Sequence, residues 1–283
     1  MRKNVITVLI MIPVLAVLFS LAMRWLEPRL IYFPGPPPSR TPADAGMRFE
    51  DVQFPARDGH TLRGWWLPAP ESDAPVMLYF HGNAGTREDR LEILQGMVAA
   101  GISVFIFDYR GYGGSSGRPS EAGLKLDGEA AFDWVKKHTR GGPVFLLGHS
   151  LGAAVAAQTA LTRKSAGLIL ESAFTSVPEM ARRTLPFPQA VLRILVKTKF
   201  NNRAALKQYK GPLLILHGDM DEVVPFWMGG ALFEEAISVE KRFQVIAGGH
   251  HNDIFFVAGA DYWRWLREFA VRVLDARKSA GPK

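Results

Sequence analysis

The sequence predicts an α/β fold: one mostly parallel, eight-stranded sheet with helices on both faces. Apolar runs of strand length recur from about residue 50 onward, and longer segments of helical period separate them. Most of the runs are continuously apolar rather than alternating, as parallel strands buried on both faces are.

Residues 52–54 and 61–67 flank Arg57-Asp58-Gly59 and read as an opening antiparallel hairpin with Asp-Gly at its turn. Buried parallel strands are then expected over 76–80, 102–107, 144–147, 168–170, 213–216 and 243–246. Helices are expected over 86–100, 121–138, 152–163, 226–237 and 260–276. A chain of 283 residues suits one such domain, placed at 48–283, with an N-terminal appendage.

Within that appendage, Val5 to Met23 is a run of nineteen uncharged residues. As a helix it measures ~28 Å, close to the ~30 Å hydrocarbon core. Residues 1–26 are therefore expected to be a transmembrane anchor. Arg2, Lys3 and Ser20-Leu21-Ala22 also suit a cleaved signal peptide, but the apolar run is long for a signal h-region. Arg2, Lys3 and the α-amino group before the span place the N-terminus inside and the remainder on the extracytoplasmic side. Residues 27–47 contain Pro34-Gly35-Pro36-Pro37-Pro38, which either holds an extended spacer or packs on the domain.

Composition narrows the classes. A chain 48% hydrophobic and 22% charged is not disordered, and a single stretch able to span is not a polytopic membrane protein. The absence of cysteine excludes disulfides, thiolate metal sites and a thiol nucleophile. A net charge of +7 suits lipid headgroups, whereas no nucleic-acid recognition motif accompanies it, so nucleic acid is not an expected partner.

G-x-S-x-G occurs twice. Gly113-Gly114-Ser115-Ser116-Gly117 follows no strand directly and runs into Arg118-Pro119, so it reads as a loop. Gly148-His149-Ser150-Leu151-Gly152 follows an apolar strand without a gap and opens into Ala153-Ala154-Val155-Ala156-Ala157. Strand, sharp turn and helix in that order expose a strained serine at the sheet edge, and the helix start aims the Leu151 N–H where an oxyanion forms.

A serine hydroxyl needs a base and an orienting acid, in chain order Ser, Asp, His for this architecture. The strand at 213–216 leads into Asp219, Asp221 and Glu222, among which spacing does not choose. The strand at 243–246 leads into Gly248-Gly249-His250-His251, so one of the two histidines is the base. His81-Gly82-Asn83-Ala84-Gly85 directly follows the strand at 76–80 and presents the backbone N–H of Asn83 as second oxyanion donor.

With these motifs, Asp108-Tyr109-Arg110-Gly111-Tyr112-Gly113, Val224-Pro225 and His251-Asn252-Asp253, the chain from about Arg48 resembles the α/β-hydrolase superfamily. It is most similar to membrane-anchored serine hydrolases with an α/β-hydrolase domain and no large cap. The resemblance implies Ser150 as nucleophile, Asp221 as acid and His251, before Asn-Asp, as base. A glycine commonly stands where this chain has His250, which keeps His250 as a second candidate. It also implies cleavage of ester or thioester bonds in lipids, acylated proteins or small acyl esters.

Residues 176–203 form an insertion where this fold carries a lid, with Arg182, Arg183, Arg193, Lys197, Lys199 and Arg203 against Glu179. Beside an anchor, such a segment favours lipid-like acyl substrates; a helical pair with a solvated basic face is the competing reading. Neither cofactor nor metal is expected: His217, Asp219, Asp221, His250 and His251 lack the spacing of a helical zinc site. Acyl transfer to an alcohol would use the same residues, and a non-catalytic binding module could keep the same fold.

Overall fold

The computed structural model describes Met11, Val14 and residues 25–183, 185 and 187–279, with the side chains of Arg193 and Ile194 excepted. The expected span at 5–23 thus falls almost wholly outside the described residues. Among those described, no helix is long and apolar enough to cross a membrane.

The hairpin expected at Asp58-Gly59 forms between β1 (Glu50–Pro55) and β2 (Thr61–Leu67), with Gly59 at a positive φ of 86° in the turn. Val52 and Phe54 are buried while Gln53 between them is exposed, so the two-residue period of a half-covered edge strand fixes the register. The sheet continues through β3 (Val76–Phe80), β4 (Ser103–Asp108), β5 (Val144–His149), β6 (Leu168–Glu171), β7 (Leu213–Gly218) and β8 (Lys241–Ile246). Its spatial order is β8-β7-β6-β5-β3-β4-β2-β1, and β2 alone runs opposite to the other seven strands. All eight expected strands are present.

Successive side chains of each strand feed opposite faces. Leu78 and Phe80 join a core with Leu124 and Phe132 of α2 (Glu121–His138) and the small residues of α3 (Leu151–Thr162). Met77 and Tyr79 join the other, with Leu94 of α1 (Leu91–Ala99) and Leu266 and Phe269 of a C-terminal helix. The expected helix at 86–100 begins as a 3₁₀ turn over Arg87–Arg90 before α1. The insertion carries three short helices in sequence, α4 (Val177–Ala181), α5 (Gln189–Leu195) and α6 (Asn202–Leu206), ahead of α7 (Phe226–Glu235). The chain closes with α8 (Ile254–Ala258) and α9 (Ala260–Ser279).

The proline-rich segment lies against this domain. Tyr32 is buried in the first core, and Phe33–Pro34 forms a two-residue parallel pairing with Ala84–Gly85. Register then assembles one sheet edge: Phe80 sits beside Gly148, His149 beside Glu171 and Gly218 beside Ile246. The loops after β3, β5, β7 and β8 all leave from that edge.

Candidate active site

Between β5 and α3 the backbone reverses at Ser150, whose φ of 55° and ψ of −115° lie outside the regions favoured by L-residues. The turn tolerates this because the Ser150 N–H donates to the Glu171 carbonyl at 2.9 Å and the Ser150 carbonyl accepts from Ala153 at 3.1 Å. Glycine is required beside it. A Cβ on Gly152 would strike the carbonyls of Phe80 and His81, and one on Gly148 would strike the backbone of Gly152 and Ala153. The packing that needs small residues at the elbow is thus the packing of α3 onto β3.

Of the two candidate histidines, His251 faces the serine: its Nε2 lies 3.1 Å from Ser150 Oγ, and its Nδ1 lies 2.9 Å from Asp221 Oδ2 and 3.1 Å from Oδ1. A carboxylate only accepts, so Nδ1 carries the proton and Nε2 offers its lone pair to the hydroxyl. His250 instead points outward and pairs with Glu222 at 3.1 Å. Asp219 accepts from the Gly248 N–H at 2.7 Å, tying the acid loop to the glycine loop that carries His251. Of the three carboxylates that spacing left open, only Asp221 meets the His251 ring; Glu222 meets the His250 ring and Asp219 the Gly248 N–H.

Asp221 is itself held. Its Oδ1 accepts from the N–H groups of Val223 and Val224 at 2.9 and 2.7 Å, and Oδ2 lies 3.3 Å from His217 Nε2. Burial alone would raise its pKa, but hydrogen bonds from His217 and His251, and the Val224 N–H, keep it well below the usual carboxylate range. It stays ionised and fixes the imidazole tautomer.

His81-Gly82-Asn83 lies across from the elbow, where a Cβ on Gly82 would stand 3.8 Å from Ser150 Cβ. The Gly82 carbonyl accepts from His81 Nδ1 at 2.8 Å. Gly82 C=O and Asn83 N–H share one planar trans peptide and point in opposite directions, so this bond also fixes the N–H. Neither the Asn83 nor the Leu151 N–H has a hydrogen-bond partner among the described residues. Tyr109 Oη donates to the His81 carbonyl and Tyr112 Oη to the Asn83 carbonyl, both at 2.9 Å. These bonds give the Asp108–Gly113 motif a task that its sequence did not disclose. Behind it, the buried Asp108 accepts from the Arg87 backbone and guanidinium, and Asp127 and Asp58 flank Arg110.

Sequence reasoning missed two buried groups. His149 Nε2 donates to the His251 carbonyl at 3.0 Å, and burial lowers its pKa to about 3, so it is neutral. Glu171, 3% exposed, accepts from Tyr262 Oη at 2.7 Å, and burial raises its pKa to about 7. Their positions were visible at strand ends, but only the pairing of β5 with β6 makes them neighbours. The other G-x-S-x-G is a loop, in which Ser115 Oγ donates to the Asp108 carbonyl at 2.8 Å. Among the described residues no three His, Asp or Glu side chains are placed to hold a metal ion.

In the insertion, Arg183 donates to the carbonyl of Val223 at 2.6 Å, joining it to the acid loop. Phe187 and Val191 are exposed, whereas Arg203 is paired with Glu179 and Glu235.

A family model, Hydrolase_4, described as serine aminopeptidase, S33, matches residues 71–204. The chain is 37% identical over 246 residues to the uncharacterised protein Rv2307c of Mycobacterium tuberculosis, covering 85% of this chain and 86% of that one. It is 33% identical to the alpha/beta hydrolase domain-containing protein WAV2 of Arabidopsis thaliana, over 81% of this chain and 80% of that one. It is 37% identical to the lysophosphatidylserine lipase ABHD12 of Rattus norvegicus over 72% of this chain, and it spans 58% of that protein. Among solved structures, the Pyrococcus furiosus esterase Pf2001 superposes with a TM-score of 0.72 at 20% identity, covering 86% of this chain and 99% of that one. That last likeness bears on the fold.

Proposed function

The chain belongs to the α/β-hydrolase domain-containing family and is a serine ester hydrolase, and from this premise we propose that it cleaves lipid-like acyl esters through an acyl-enzyme on Ser150. The observation that carries the proposal is the unbroken line from Asp221 through His251 to Ser150, with contacts of 2.9 and 3.1 Å, at a residue of positive φ.

In the first half-reaction, His251 Nε2 takes the Oγ proton as Oγ bonds to the acyl carbon. The carbonyl electrons move to an oxyanion that the Asn83 and Leu151 N–H groups receive. Collapse of the intermediate expels the alcohol, which leaves with the proton from Nε2. Water, deprotonated by the same nitrogen, then attacks the acyl-enzyme and releases the acid. Asp221 stays ionised throughout and holds the imidazolium that forms twice per cycle.

The substrate class is a monoacyl lipid ester of the lysophospholipid kind. Two features support this: the similarity to the lysophosphatidylserine lipases, and the exposed apolar side chains of Phe187 and Val191 on the insertion at 176–203. The run at 5–23 serves as a single-pass anchor, with the domain on the extracytoplasmic side and the insertion acting as a lid towards the bilayer.

Membranes carrying the wild type or Ser150→Ala are labelled with a fluorophosphonate and assayed on p-nitrophenyl esters of rising acyl length. The wild type labels and prefers longer acyl chains, and Ser150→Ala does neither. A folded wild type that neither labels nor turns over would remove the catalytic reading in favour of a binding module.

A further inference from the structure

The segment between the apolar N-terminus and the domain is built into the loop that carries Asn83. Phe33 N–H donates to the Asn83 carbonyl at 3.0 Å, and Asn83 Nδ2 donates to the Ile31 carbonyl at 3.1 Å. Gly35 N–H donates to the Gly85 carbonyl, and the Gly35 carbonyl accepts from Gly113, each at 3.2 Å. The segment thus runs between the His81–Gly85 loop and the glycine loop that carries Tyr112.

Its other end grips the insertion. Glu27 is only 6% exposed, and its two carboxylate oxygens accept the backbone N–H groups of Lys197 and Thr198 at 2.9 and 2.5 Å. Tyr32, between these two attachments in the chain, is buried in the first core. The two charge-assisted N–H bonds offset the desolvation of the buried carboxylate, so this end of the segment is fixed to the insertion rather than left as an exposed connector.

We propose that residues 27–35 are a positioning strap for the oxyanion loop, holding the Asn83 peptide so that its N–H receives the developing charge, and coupling that loop to the insertion. The proposal rests on Asn83 as an oxyanion donor. The Asn83 carbonyl, in the peptide after the one that carries its N–H, is bonded by Phe33 on one side and Tyr112 on the other, so losing the Phe33 bond loosens the Asn83 backbone on the side away from the His81–Gly82 bond. The N–H is then held through the His81–Gly82 bond alone and becomes a poorer donor, without any change at Ser150, His251 or Asp221. Direct removal of an oxyanion donor costs about 10²–10³-fold in kcat; loosening its support costs a part of that.

The test uses the full-length protein in membranes. Phe33→Pro deletes the N–H, and Phe33→Leu keeps it while trimming a half-exposed ring. With Phe33→Pro, kcat falls at least about tenfold with KM within about twofold, because losing an oxyanion donor acts on the transition state rather than on substrate binding. Affinity for a trifluoromethyl ketone, which forms an oxyanion on the serine, falls by the same factor. The pH midpoint of kcat/KM does not move, and Phe33→Leu retains the wild-type constants. Glu27→Gln, which weakens the far attachment alone, gives the same pattern at smaller size and decides the matter if Phe33→Pro does not fold. Unchanged kcat in both variants, or a loss of kcat with ketone affinity intact, would overturn the strap. Ser150→Ala run alongside separates the two proposals: if it is inactive while the strap variants are unaffected, only the strap is lost.

Discussion

Asp221 and His251 face each other through both carboxylate oxygens, at 2.9 and 3.1 Å from Nδ1, while Asp221 Oδ1 also takes two backbone N–H groups of its own loop. The acid is thereby aimed by its own backbone, with His217 Nε2 3.3 Å from Oδ2 as a further side-chain partner. Asp221→Asn keeps the volume but presents an amide that can donate to Nδ1 and stabilise the wrong tautomer. Its kcat is expected to fall by about 10³–10⁴-fold with KM little changed, measured on a soluble p-nitrophenyl ester. A loss under about tenfold would mean that Asp221 does not orient the base.

Adjacent histidines allow an internal control. His250 is exposed and its partner Glu222 is exposed too, an arrangement worth little. His250→Ala should keep kcat/KM within about threefold, and His251→Ala should lose at least about 10³-fold. The reverse order in that pair of assays would transfer the base to His250.

Glu171 makes stability depend on pH in a calculable direction. Burial lifts its folded pKa to about 7, above the 4.5 of an exposed glutamate, so the folded state holds the proton longer than the unfolded chain. Stability from this group is full below pH 4.5 and is lost as pH rises towards 7. The full loss is about 3 kcal/mol, from about 1.36 kcal/mol per pKa unit. Glu171→Gln, whose carbonyl can still accept from Tyr262, removes the dependence. Urea unfolding of both proteins from about pH 5 to 8 should show the wild type losing stability relative to the variant as pH rises. A constant difference would contradict it.

At the elbow, Gly152→Ala puts a methyl against the Phe80 and His81 carbonyls. Backbone cannot yield as a side chain does, so α3 must shift from β3, at a cost of about 1–3 kcal/mol or more. Thermal unfolding should show a lowered Tm, and activity per folded molecule should fall because the Leu151 N–H moves with the helix start.

The fold was legible because its central strands are apolar throughout: Val104 to Phe107 and Leu213 to Leu216 are buried on both faces, as parallel strands between two helical layers are. Ser150 was legible because strand, turn and helix meet there without spare residues, a test that Ser115 fails. Asp221 and His251 required the family resemblance, since Asp219 and His250 sit within two residues of them and only loop geometry separates the pairs. Tyr109, Tyr112, His149 and Glu171 were illegible in a stronger sense. Each is bonded to a backbone carbonyl or, for Glu171, to a hydroxyl on the C-terminal helix, 28 to 102 residues away, and nothing local in the sequence marks such a bond. The grip of Glu27 on residues 197 and 198 is the extreme case, spanning 170 positions.

Acylation of one serine is the centre of the account, and intact-protein and peptide mass spectrometry measures it directly. Full-length protein is quenched in acid during turnover of a p-nitrophenyl ester, with Ser150→Ala treated alike. The account predicts an added acyl mass in the wild type on the peptide containing Ser150, and none in Ser150→Ala. An adduct on any other residue, or ester turnover by Ser150→Ala at the wild-type rate, would contradict it.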